Sequence, residues 1–147
     1  MSQEGIFAIK LGELECQYER TLSCLRLYQV EDHKKIRKEL EQVFGEYRDA
    51  ERQLQKDVNT SRSPAIAALS GAQLDYDRRV RRILQDELPF YLHGENRDIS
   101  ADQVEAISLY GEYAIDFAAQ AMRYAQMTVL SAIDAQMNLD EQRREST

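Results

Sequence analysis

Residues 104–137 read VEAISLYGEYAIDFAAQAMRYAQMTVLSAIDAQM, and the placing of charge in that stretch decides the fold class. At 100° per residue, Glu105, Glu112, Asp116, Arg123 and Asp134 fall within a stripe about 40° wide. Most of the circumference is left to Ala, Ile, Val, Met, Leu, Tyr and Phe. A helix with one narrow wet face needs other helices around it, because apolar side chains gain by leaving water. Ser100 followed by Gln103 is a capping box at its start. Gly111, Ala114, Ala118, Ala121, Ala125 and Ala132 are small enough to let neighbouring backbones come close. The polar tail, residues 140–147, is expected to fray.

Upstream of this helix, Glu95 to Asp98 reads as a loop, and Pro89 ends or kinks the preceding helix because it lacks an N–H and clashes with the turn before it. His93 and Gly94 are placed to close one further turn. That third helix begins at Ser63-Pro64, an N-cap followed by a first-turn proline. Its predicted seam is Ile66, Leu69, Gln73, Tyr76, Val80 and Ile83, and Pro64 to Leu74 holds no charge at all. Nearer the start, Phe7, Leu11, Leu14, Tyr18, Thr21, Leu25 and Tyr28 alternate spacings of four and three, a heptad seam. Ile36, Leu40, Val43, Tyr47, Ala50 and Leu54 repeat it. Between the two lies Gln29 to His33, without Gly or Pro, where Asp32 is the candidate N-cap. The pattern predicts an all-α, antiparallel four-helix bundle, with residues 1–139 as one domain and 140–147 as a tail. The alternative joins the first two segments into one long helix, giving a three-helix arrangement completed by dimerisation.

Composition agrees with helix. The chain has 147 residues, 43% of them hydrophobic, with only two prolines and six glycines, so it has the material for one helical domain. The first residues carry an acid where a secretion signal has a basic region, and no stretch approaches the roughly 20 apolar residues of a membrane span. A cytoplasmic location is the expectation. Cys16 and Cys24, about 12 Å apart along one helix, are beyond disulfide reach and read as reduced core thiols. A net charge of −7 opposes general affinity for nucleic acid or anionic membrane.

The search for chemistry yields no catalytic, cofactor or metal assignment. Di-metal bundles need Glu-x-x-His pairs, and neither His33 nor His93 has a Glu three residues earlier. Glu112 and Asp116 share the wet stripe of the last helix. His93, Glu95 and Asp98 give a loop too few ligands for a firm cation site. Gly12, Gly45, Gly71 and Gly111 stand singly in predicted helices, unlike a phosphate-binding loop. Tyr18, Tyr28, Tyr47 and Tyr76 are read as core aromatics. Arg78, Arg79, Arg81 and Arg82 form a basic run that would suit a polyanion or acidic partner. With Val80 facing inward they take the outer half of the helix, where Asp75 and Asp86 pair with Arg79 and Arg82 at i,i+4. Tyr110, Tyr113 and Met122 are the candidate lining of a pocket between helices.

Three functional expectations follow. The first is a non-enzymatic bundle acting through protein–protein contacts, as a homodimer or with another helical protein, through Ile66, Leu69, Ala114, Ala118, Ala121 and Ala125. The second is a regulatory factor using the four arginines. The third is a ligand carrier or enzyme using the Tyr110 pocket.

Overall fold

The computed structural model describes residues 3–83 and 99–147. The chain is all-α, with four helices and no strand among those residues: α1 (Gln3–Gln29), α2 (His33–Thr60), α3 (Pro64–Arg82) and α4 (Ile99–Glu145). That is the helix count an antiparallel four-helix bundle requires. At 1.5 Å per residue, the 47 residues of α4 run about 70 Å.

α1 and α2 are separate helices, which sets aside the single long helix. Glu31 adopts φ 56°, the left-handed conformation that ends many helices. Its N–H donates to the Tyr28 carbonyl at 3.1 Å, and the Asp32 N–H donates to the Leu27 carbonyl at 3.1 Å. These are the paired bonds of a Schellman motif, built here on a glutamate in place of the usual glycine. Asp32 then serves the next helix too: its carboxylate accepts from the Lys35 N–H at 3.3 Å as the N-cap of α2.

The α2–α3 connection is Ser61-Arg62-Ser63. The Ser63 N–H donates to Ser61 Oγ at 3.2 Å, and Ser63 Oγ accepts from the Ile66 N–H at 3.4 Å, so the predicted Ser-Pro start of α3 is confirmed. α2 and α3 pack together as a hairpin. Gly71 lies against Val58, Arg78 against Gln55 and Arg81 against Glu51, so residue numbers fall along one helix as they rise along the other. The pair is therefore antiparallel.

The side of α3 with least exposure is not the predicted seam. Ser70 and Leu74 are buried, and Ala67, Asp77 and Arg81 are half-buried. This side is turned about 100° from the line through Ile66, Leu69 and Tyr76, which are exposed. Small and polar side chains let the two backbones approach, and the larger apolar groups are left on the flank. Tyr18, Tyr28, Tyr47 and Tyr76 are all exposed, as is Cys16, against the core roles expected for them; Cys24 is half-buried.

The chain divides into two compact units, Met1–Arg20 with Ser108–Thr147, and Thr21–Ile107. The buried apolar residues among those described, Leu74 and Ala106, both belong to the second unit. Asp102, one turn before Ala106, is 1% exposed. The helix α4 begins at Ile99, so Ser100 lies within it and not before it, and it continues through the expected tail as far as Glu145. The expected end of α3 around Pro89, its pairing with Asp86, and the cluster His93, Glu95 and Asp98 lie outside the described residues.

Candidate functional site

The α2–α3 hairpin carries the most connected group of polar side chains. Arg81 donates to Glu51 at 2.8 Å, in an ion pair whose side chains are 39% and 24% exposed. The same guanidinium donates to the Tyr47 hydroxyl and lies 5.8 Å from its ring centroid. Tyr47 in turn bonds the Asp77 carboxylate. Burial pushes the Asp77 carboxyl above the usual range; Arg81 pulls the other way, Glu51 adds to the rise, and the bond from Tyr47 opposes it. Burial, then Asp77, then Tyr47 raise the Tyr76 hydroxyl. Bonds to Tyr47 and Glu51 hold Arg81 more firmly charged. The linkage fixes the register of the two helices and offers no nucleophile beside a base.

This arrangement splits the four arginines. With Leu74, and not Val80, at the centre of the inner face, Arg81 turns in toward α2. Arg78 stays exposed but donates to the Gln55 side-chain oxygen at 2.8 Å. The Arg79 and Arg82 side chains have no hydrogen-bond or ion-pair partner among the described residues. Arg78, Arg79 and Arg82 instead line a cleft of 370 Å³ together with Asp75 and Ile83. No ion pair joins Asp75 to Arg79 within the described residues, in contrast to the i,i+4 pair expected from sequence.

Along α4, the charged stripe is where the sequence puts it: Glu105, Glu112, Asp116, Arg123 and Asp134 are all exposed. The apolar positions are not engulfed. Val104, Ile107, Ile115, Phe117, Tyr124, Met127 and Leu130 are each more than half exposed. Of the six candidate interface residues, Ile66, Leu69, Ala118 and Ala121 are open to water, whereas Ala114 and Ala125 are half-buried. The proposed pocket residues do not converge. Tyr110 and Met122 are half-buried and Tyr113 is 56% exposed. Met122 stands 12 residues along from Tyr110, about 18 Å, and about 180° around the helix from Tyr113. A second cavity, of 520 Å³, sits at the α1–α2 turn against Tyr28, Glu31, Asp32, His33 and Ile36. Among the described residues no three His, Cys, Asp or Glu side chains come together as a metal site, and no helix is long and apolar enough to cross a membrane.

Sequence reading missed the Tyr47–Asp77–Arg81–Glu51 linkage. The available signal was the i,i+4 spacing of Asp77 and Arg81 facing Tyr47 and Glu51, also i,i+4, across a three-residue turn. No protein-family model, curated protein or solved structure matches this chain.

Proposed function

We propose that this chain is a non-enzymatic helical protein that works through protein–protein contacts, and that its partner is a second copy of itself. The observation that carries this reading is the series of large apolar side chains left in water along α4. Phe117 and Tyr124, with the small residues Ala118 and Ala121 between them, lie within about 120° of the α4 circumference. Burying a large apolar side chain contributes about 1.5–3 kcal/mol, so a face of this kind supplies a substantial drive to associate. Contiguous apolar patches on soluble chains mark association sites. Paired about a two-fold axis, two copies cover the same face on each other, with small residues at the point of closest approach.

Sedimentation velocity across a hundredfold range of concentration tests the reading. The expected outcome is a dimer that dissociates on dilution. Ala118→Glu with Ala121→Glu places charge at positions exposed in the single chain, so monomer helicity should persist while the dimer is lost. A wild type that stays monomeric at the highest concentration overturns self-association.

A further inference from the structure

The cleft at the end of α3 is a different kind of surface. We propose that Arg78, Arg79 and Arg82 form a binding site for a small phosphate ester that also carries hydroxyl groups, a function separate from self-association. Three features support it. Arg78, Arg79 and Arg82 occupy an arc of about 100° on the helix, so their guanidinium groups address one space. That space is a 370 Å³ cleft, within the size range of small-molecule pockets and roomier than a bare phosphate needs. Two of the three arginines have no partner in the described residues, while the third is steadied by Gln55.

A bland account of the arginines is that cations in a last helical turn offset the helix dipole, an effect worth about 0.3–1 kcal/mol. It explains basic residues at that end but not the gathering of Arg78, Arg79 and Arg82 around one cleft while Arg81 turns to Glu51. Planar guanidinium forks match phosphate oxygens in pairs, which a lysine cannot do. Asp75 defines the rest of the ligand. Its carboxylate lines the same cleft without a partner among the described residues and would repel a bare anion. A ligand hydroxyl beside the phosphate turns that repulsion into an accepted hydrogen bond. Nucleic acid is disfavoured, since a chain of net charge −7 repels an extended polyanion over its length. A small ester meets mainly the local arginines, because charges beyond about 8 Å are screened at physiological salt.

Phosphorus NMR titration of the full chain with ribose 5-phosphate tests the proposal, with inorganic phosphate and a DNA duplex as comparison ligands. The expected result is saturable binding of the ester at one site, tighter than that of inorganic phosphate. Each of Arg79→Gln and Arg82→Gln should weaken it roughly tenfold. Arg62→Gln, an exposed arginine at the α2–α3 turn, should leave it unchanged. Asp75→Asn should weaken the ester but not inorganic phosphate. Lysine at positions 79 and 82 preserves charge and should still cost severalfold, which keeps the test available if the glutamine variants lose helicity. Absence of saturation by the ester, equal loss in Arg62→Gln, or tighter binding of the DNA duplex each overturns the proposal. Tightening of both small ligands by Asp75→Asn overturns the hydroxyl contact and with it the ligand class.

Discussion

The α2–α3 hairpin and α4 solve opposite halves of the folding problem. The hairpin has little apolar surface between its helices, yet its geometry is heavily specified: Ser61 and Ser63 fix the turn, Arg78 bonds Gln55, and Arg81 ties Glu51 to Tyr47. α4 has the apolar surface in abundance and buries only Ala106 of it in the described chain. Hydrogen bonds and caps decide which structure forms, each contributing about 1 kcal/mol, whereas burial of apolar area supplies most of the energy that holds it. One region has specification with little burial, the other apolar surface that the described chain leaves largely exposed.

Truncations measure that contrast most directly. Leu74→Ala removes the one large buried apolar side chain of the described residues and should cost about 2–5 kcal/mol in urea unfolding. Leu130→Ala, at a position 65% exposed, should cost under about 0.5 kcal/mol at high dilution. Equal losses at the two sites would erase the difference between the regions. Next in size is the turn: Ser63→Ala removes the acceptor for the Ile66 N–H and should cost about 1 kcal/mol, readable as a lower melting temperature.

Glycine replacements sharpen the comparison further. A Cβ at Gly71 would sit 3.9 Å from Val58 Cγ2, an ordinary contact, and one at Gly111 meets nothing within 4 Å. Both Gly71→Ala and Gly111→Ala should therefore raise stability by about 0.5–1 kcal/mol through helix propensity. The smallest effect concerns Asp77. Its folded carboxyl holds a proton more tightly than in the unfolded chain, so stability falls as pH rises from the ordinary carboxylate range through the folded value. Asp77→Asn should remove that slope, as followed by urea midpoints at pH steps above 4. A slope that survives unchanged would show that Asp77 does not carry it.

Much of the fold was legible because caps are local. Ser63-Pro64 and Asp32 announced two helix starts through residues that need only their near neighbours. The inner face of α3 was not legible for the opposite reason. Periodicity identifies which residues are apolar together, and Ile66, Leu69 and Tyr76 do share a line, but which line meets a neighbour depends on what the neighbour offers. Glu51, Gln55 and Val58 accept a small, polar edge, so the helix turns Ser70, Leu74, Asp77 and Arg81 toward them. The same limit applies to the arginines: their spacing is visible in the sequence, whereas the capture of Arg81 depends on a residue 30 positions away. Tyr113 and Met122 of the candidate pocket lie on opposite sides of one helix, a rotation that a helical wheel displays.

Glu31 has a consequence for how firmly α1 is brought to an end. A side chain in the left-handed region carries a penalty of about 1–2 kcal/mol that glycine avoids, and the backbone bonds to the Tyr28 and Leu27 carbonyls, with the Asp32 cap beside them, offset it. The break between α1 and α2 thus rests on two adjacent acids, and Glu31→Gly should strengthen the stop that Asp32→Ala would weaken.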